Sequence, residues 1–396
     1  MEEIRELRNR GLEVVPCSAR TVRKSSLDSS LQDFCRQTIF LQPLRPAMVL
    51  RAIATCVVHS RQLLDLLIRI LLSSKERPAR RIRAVAHTFL GAYYAELLRG
   101  RGIQHIHAHH GYFSSWIAMV AARLMGTTFS LTLHGSDLLL HPAYMETKLQ
   151  ECSFCLTVSE FNRNHILARY PNVDAQKIFV QRIGVRIPPE TSLPLTSPNR
   201  TFTLLAVGRL HPVKNHTFLL QACQALRERG ARFRCLIVGD GPQRKHLEAL
   251  IREWTLEDLV ELAGQVPRHE IGSYLQRSEL VVLTSHSEGI PLVLMEAMAE
   301  ARLVLAPRIT GIPELVIDGK TGFLYSPGHL DEFVSKVLAI SQSLANHASI
   351  QQAARDHVRM HFNQQKNLTR FADLFLNNLD HFDRRRRNEY LVLQQI

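Results

Sequence analysis

The sequence predicts an α/β fold with two doubly wound parallel sheets, one in each half of the chain. Three observations predict it. Short, continuously apolar runs alternate with helix-patterned segments, most regularly after residue 200. Strands that read apolar without alternation belong to parallel sheets covered on both faces. Several runs also end in Gly turns, as in LLAVGRL and LIVGDG. Finally, 396 residues with 45% apolar and 21% charged side chains exceed one ordinary core, so two domains are expected.

In the second half, TFTLLAVG (201–208) reads as a strand and Asn215 to Gly230 as a helix with Gly near its stop. RCLIVGDG (234–241) is a strand into a turn, and Pro242 to Trp254 a helix. LVELAG (259–264), ELVVLTS (279–285) and RLVLAP (302–307) are further strands. The first half is less regular. GIQHIHAHH (102–110), TTFSLTLHG (127–135), FCLTVSE (154–160) and KIFVQRIGV (177–185) read as strands, and 43–98 as helical. The opening MEEIRELRNRGLEVV reads as a helix with Gly11 as its stop, followed by a strand. IPPETSLPLTSPNR (187–200), with four prolines, reads as a linker. The expected organisation is an N-terminal domain 1–187, a linker 188–200, a C-terminal domain 201–360, and a C-terminal helix and basic tail 361–396. The segment NLTRFADLFLNNL (367–379) suits packing on either domain.

A net charge of +13 with a pI of 9.7 points to an anionic partner: nucleic acid, an acidic membrane surface or phosphorylated ligands. Scattered charge, 7% aromatics and the lack of a binding motif argue against nucleic acid. Seven scattered cysteines do not make a disulfide scaffold. Cys152 and Cys155 form one C-x-x-C without a second pair and read as structural thiols in a reducing, cytoplasmic setting. The charged opening does not read as a secretory signal. The apolar stretch 47–72 is interrupted by Arg51, His59, Arg61, Asp65 and Arg69, which leaves no clean membrane span. LLDLLIRILLSSKERPARRIR reads as a basic amphipathic helix suited to an anionic bilayer. A cytoplasmic location is expected, with peripheral attachment to the inner face of the plasma membrane as the reading this helix adds. The competing reading is a core helix with a wet basic face.

Chemistry concentrates in the turns after strands. GRLHPVKN (208–215) carries Arg209 and Lys214, two cations five apart that suit a diphosphate. A solvated pair is the alternative. GDGP (239–242) matches neither the dinucleotide fingerprint nor the phosphate loop of nucleoside triphosphatases. HSEGIPLVLMEAMA (286–299) reads as a loop into a helix whose first turn holds Pro291. The free N–H groups of that turn suit a phosphate. Glu288 lies just outside, placed for sugar hydroxyls, and Glu296 lies inside the helix, placed for a ribose diol. Their alternatives are a local cap and a satisfied buried acid. LTLHGSD (131–137) puts His134 at a strand end. HIHAHHG (105–111) offers histidines, but no acid or cysteine interleaves with them, and no metal site is expected.

Taken in order, HAHHG, LHGSD, VSE, GRLHPVKN, GDGP, HSEGIPLVLMEAMA and ITGIPELVIDGKTGFLY resemble the retaining glycosyltransferases of family four, which have the GT-B fold of two Rossmann-like domains. Within the family the chain looks most like enzymes of bacterial exopolysaccharide and colanic-acid-type assembly. The resemblance implies a sugar transfer from a nucleotide-diphosphate donor, UDP- or GDP-linked, to a hydroxyl of a saccharide or lipid-linked saccharide, with retained configuration and without cofactor or metal. It implies that Arg209 and Lys214 neutralise the diphosphate and that Glu288 binds the donor sugar with the backbone of Gly289, Ile290 and Pro291. Glu296 would hold the ribose, and the loop of Val266 would meet the base. Gly311 would lie near the phosphates, with Glu314 bracing its loop, and His134 would lie near the donor sugar. The family has a strand before the helix that opens this sequence, so the N-terminal domain is expected to lack its first strand. A nucleotide-sugar-binding paralogue without turnover, acting as a partner subunit, is the alternative function.

Overall fold

The computed structural model describes residues 1–19, 29–72, 76–189 and 201–393. Most of the expected linker, 190–200, lies outside the described residues. The chain divides into two compact units. The first comprises Met1–Thr157, Arg163–Gln181 and Leu368–Ile396, and the second Val158–Asn162 and Arg182–Asn367. The C-terminal helix therefore belongs, from Leu368 on, to the first unit.

The first unit begins with α1 (Glu2–Asn9), β1 (Cys17–Ser18), α2 (Ser29–Gln37) and β2 (Ile39–Phe40). Three helices follow: α3 (Pro46–Val58), α4 (Ser60–Leu72) and α5 (Pro78–Leu98). Pro46 and Pro78 sit in the first turns of α3 and α5, where a missing N–H costs nothing. Then come β3 (His105–His109), α6 (Phe113–Met125), β4 (Thr128–Leu133), α7 (Ser136–Leu139), α8 (Met145–Glu151), β5 (Phe154–Thr157), α9 (Glu160–Arg169), whose residues 160–162 count with the second unit, and β6 (Ile178–Val180). Gly126, in the left-handed region, stops α6.

The strands β3-β4-β5-β6 make one parallel sheet in that order, and β1 pairs with β2 in a separate two-stranded sheet. Among the described residues β3 has a neighbour on one side only. The strand expected within 12–15 forms no ladder among the described residues, and pairing starts at Cys17. The sheet explains the histidines. His105 and His107 share the face of β3 that meets Phe154 and Phe375, with His105 stacked at 5.7 Å on Phe154. Their ring nitrogens meet the hydroxyls of Thr128, Ser130 and Thr132 at 2.6–2.9 Å. They are satisfied core groups, and burial holds His105 down at about 4. Cys152 and Cys155 are both buried and unbridged, and burial pushes the Cys152 thiol up to about 12.

The second unit runs β7 (Phe202–Val207), α10 (His216–Glu228), β8 (Phe233–Val238), α11 (Arg244–Glu253), β9 (Val260–Gly264), α12 (Ile271–Gln276) and β10 (Leu280–Val282). It continues through α13 (Leu292–Ala299), β11 (Leu303–Pro307), α14 (Ile312–Leu315), β12 (Phe323–Tyr325), α15 (Leu330–Gln342) and α16 (Ala348–His361). The last helix, α17 (Gln364–Leu393), starts here and contains the arginine run 384–387. All six strands are parallel, in the order β12-β11-β10-β7-β8-β9. Successive residues feed opposite cores. Leu204, Cys235, Leu280 and Leu303 pack with α10, α11 and α15, while Leu205, Leu236, Val281 and Val304 pack with α13, α14 and α16. Both faces are covered, which is why these strands read as unbroken apolar runs.

The winding reverses at β7. The chain goes outward through β8 and β9, then returns to the other side of β7 with β10. Loops leaving the carboxyl ends of β7 and β10 therefore diverge and open a crevice, the place where open parallel sheets take ligands.

Candidate functional site

The loop after β7 holds Arg209 and Lys214, and the loop after β10 holds Glu288, Gly289, Ile290 and Pro291. Both leave the winding reversal. Backbone turns set the first loop. Gly208 N–H bonds Val238, Leu210 N–H bonds Asp240, and Gln243 N–H bonds back to Leu210. Gly239, at φ +145, presses against the Gly208 carbonyl so closely that a Cβ would collide with it. The GDGP turn thus seats the GRL turn, which gives that motif a local structural reason.

His211 accepts from Val213 N–H at 3.3 Å, and Asn215 turns left-handed at φ +52 before α10. Val213 O accepts from His286 N–H at 2.8 Å, and Lys214 O accepts from Thr284 Oγ1 at 2.9 Å. These bonds lace the two loops together. Across them the Lys214 Nζ donates to Glu288 Oε1 at 2.6 Å, in a pair exposed by 23% and 13%. The Arg209 guanidinium is exposed and makes no hydrogen bond or ion pair among the described residues. The two expected diphosphate cations are therefore on one loop, one paired and one open.

Pro291 is the N-cap of α13 rather than part of its first turn, in extended conformation at ψ 121. It supplies no side-chain cap; Leu294 N–H bonds the Pro291 carbonyl at 3.2 Å, and the N–H groups of Leu292 and Val293 are the ones that suit an anionic ligand. Ile290 is buried and anchors the loop in the core beside Leu294. Gly289 meets the third loop, after β11, because a Cβ on Gly311 would lie 2.7 Å from the Gly289 carbonyl oxygen. Thr310, just before, is held at φ +44, a costly conformation for a threonine. Ser285 Oγ and Thr310 Oγ1 are buried without protein partners. Buried hydroxyls on the loops after β10 and β11 thus keep unused hydrogen-bonding capacity.

Glu296 is half-buried on α13, and burial raises its carboxyl, opposed by Arg268 at 3.4 Å. Arg268 was invisible as a site residue in the sequence. It sits two residues past Val266, itself half-buried against the core. The Val266 loop and the Glu296 helix are thus neighbours. Glu314, expected to brace its loop, ties that loop to the start of α9. Its carboxylate accepts from Glu160 N–H at 3.1 Å and Phe161 N–H at 2.8 Å, the start of α9, and from Arg182 at 3.3 Å. Ser159 Oγ accepts from Asn162 N–H at 3.1 Å, which explains the VSE motif as a helix start.

His134 lies in the first unit, after β4. Its ring contacts His109 at 3.4 Å and His110 at a centroid distance of 4.5 Å. Burial, with those two histidines, holds it down at about 4, so it is a neutral imidazole at neutral pH. Asp137, which the sequence left without a role, organises the turn. It is fully buried and accepts from Gly111 N–H at 2.8 Å, Gly135 N–H at 2.8 Å and His134 N–H at 3.1 Å. Burial alone would raise its carboxyl, but the His110 ring and these N–H groups hold it well below the usual range. Buried Lys148 donates to the Gly111 carbonyl beneath it. Glu3 reaches His109 at 3.0 Å, an acid from far along the chain. Among the described residues no three such side chains converge in metal-holding geometry.

Residues 190–357 match the family described as glycosyl transferases group 1. A putative colanic acid biosynthesis glycosyltransferase of Escherichia coli, WcaL, is 35% identical over 197 residues, 48% of each chain. The amylovoran biosynthesis glycosyltransferase AmsK of Erwinia amylovora is 33% identical over 207 residues, 50% of this chain and 51% of its own. The chain spans about half the length of these curated relatives. The crystal structure of HepE from Anabaena in complex with UDP-glucose superposes at a TM-score of 0.62 and 22% identity, over 72% of this chain and 82% of that one. With the parallel sheets and the winding reversal, these matches show that the chain has the GT-B fold and carries a glycosyl transferases group 1 domain in residues 190–357.

Proposed function

We propose that the protein transfers a sugar from a nucleotide-diphosphate donor to a hydroxyl of a growing or lipid-linked polysaccharide, with retention at the anomeric carbon. The setting is the cytoplasm, at the inner face of the plasma membrane. The observation that carries the proposal is the Lys214–Glu288 pair at the winding reversal, beside the uncapped start of α13. The likeness to exopolysaccharide glycosyltransferases supports the reaction class.

In this reading Lys214 releases Glu288 when the diphosphate arrives. The ammonium, Arg209 and the α13 N–H groups then take the charge that builds on the departing diphosphate. Two cations and a helix start do this without a divalent metal. Glu288, freed, accepts from donor-sugar hydroxyls, with the backbone of Gly289, Ile290 and Pro291 fixing the sugar. Glu296 accepts from the ribose diol, and the Val266 loop meets the base of a UDP- or GDP-linked donor. The acceptor hydroxyl attacks from the face the leaving group departs, and its proton goes to the leaving phosphate oxygen. His134, in the first unit, is neutral at neutral pH, so its proposed part in the reaction is that of a hydrogen-bonding group rather than a charge.

The second reading, a donor-binding partner subunit without turnover, is favoured by one observation: β3 has a strand on one side only among the described residues. Calorimetric titration with nucleotide sugars, followed by a transfer assay on purified protein, tests both. Donor binding that survives Lys214→Ala and Arg209→Ala sinks the diphosphate assignment. Donor binding with no transfer or donor hydrolysis leaves the second reading standing and removes the first.

A further inference from the structure

Eleven of the eighteen large apolar side chains that are exposed among the described residues fall between Leu44 and Val85. Leu44 lies just before α3, and the other ten lie on three consecutive helices of the first unit at helical spacing. On α3 they are Leu50, Ile53, Val57 and Val58; on α4, Leu64, Ile68, Leu71 and Leu72; on α5, Ile82 and Val85. Leu50, Val58, Leu72 and Ile82 are exposed by 68–77%. The opposite stripes, Ala52 and Thr55, then Leu63, Leu66 and Ile70, then Ala84 and Thr88, are the ones that enter the core. Each helix is thus apolar on two sides, and its outer side has nothing of this unit over it. This differs from the wet basic face that the sequence left open. Exposed apolar side chains concentrated in this way mark interaction surfaces.

The helices share one surface at their joints. α3 and α4 meet at His59, and the Leu71 carbonyl at the end of α4 accepts from Arg81 in α5 at 3.1 Å. The charge on that surface has one sign. Residues 44–85 hold eight arginines and two acids, Asp65 and Glu76. Both acids are already paired, with Arg123 at 2.5 Å and Arg80 at 3.2 Å. Arg61, Arg77 and Arg83 are exposed and make no ion pair among the described residues. The stretch also lacks Tyr, Trp and Phe, the residues that protein–protein interfaces concentrate. Aliphatic side chains beside unpaired guanidinium groups complement acyl chains beneath phosphate headgroups.

We infer that the outer faces of α3, α4 and α5 are a docking surface for an anionic lipid bilayer. The surface lies within the first unit and does not depend on the donor-site reading of the second. Flotation of the full chain with vesicles tests it, using phosphatidylcholine alone or mixed with phosphatidylglycerol. The full chain should float with the mixed vesicles at low salt, less so at high salt, and not with phosphatidylcholine alone. Arg77→Gln with Arg83→Gln should weaken binding by roughly fivefold per arginine. Val58→Ser with Leu72→Ser should abolish flotation even at low salt. Far-ultraviolet circular dichroism and the first unit's melting transition should match the parent in all variants, which shows that they fold and keeps this test separate from the donor reading. Failure of the parent to float with anionic vesicles overturns the inference, as does flotation of both variants at the parent's level. So does a dimer, read by light scattering, that the serine variant splits while vesicle binding persists, because a second copy then covers the face.

Discussion

At the scale of single residues, the pairing of Lys214 with Glu288 has a consequence for binding that runs against ordinary intuition. An acid already paired with that cation competes with the incoming diphosphate. Glu288→Gln should therefore bind UDP more tightly than the parent, by about tenfold if one charge-assisted bond is relieved, while sugar transfer falls. Calorimetry with UDP and a transfer assay read the two effects in opposite directions; weaker UDP binding would reject the competition. The buried histidines make a second prediction. His105 and His134 are held at about 4 by burial, against about 6.5 when unfolded. Between those values the unfolded chain takes up protons that the folded chain refuses, so stability is complete above about 6.5 and falls as pH drops towards 4. Melting temperature against pH should show that fall, and His105→Gln should make it shallower. Residue types at the donor site were legible in the sequence because HSEGIPLVLMEAMA and GRLHPVKN are local. Arg268 was not, since nothing on its own loop names Glu296, 28 positions away, as its counterpart.

At the scale of elements, the second unit was legible almost strand by strand. Each strand is a continuous apolar run closed by a turn, and both faces are covered, so no periodicity was needed. The exception is β12, which follows a turn without a longer apolar run around it, whereas the equally short β10 sits inside the apolar run ELVVLTS. The first unit was harder because α3 to α5 are apolar on two sides, and a sequence cannot say which side stays uncovered. Distant caps were also out of reach. Glu314 holds the start of α9 from 154 positions away in sequence. Glu314→Ala should cost about 1–2 kcal/mol, the range of a lost helix cap, measured by urea unfolding. The loss should exceed that of Glu300→Ala, an acid with no side-chain partner among the described residues. Gly311→Ala should weaken UDP binding, because its Cβ must push the Gly289 carbonyl out of place.

At the scale of the whole molecule, each unit has its own apolar clusters: three in the first and two in the second among the described residues. Calorimetric unfolding should therefore resolve two transitions. UDP at a hundredfold excess over its Kd should raise only the second unit's transition, by roughly 5–10 °C from the mass-action gain. A shift confined to the other transition would place the donor elsewhere. The +13 net charge announced an anionic partner without saying which. The structure divides that signal between an open Arg209 at the winding reversal and unpaired arginines on α4 and α5, which neither composition nor pI can do.

The grip of Glu314 on α9 also turns one loop into a signal generator. Glu314 lies three positions beyond Gly311, so any ligand that shifts the Gly311 loop tugs on the amides of Glu160 and Phe161. A fluorine label on the half-exposed Phe161 ring would then register occupancy of the site as a change in resonance, without the label touching the ligand.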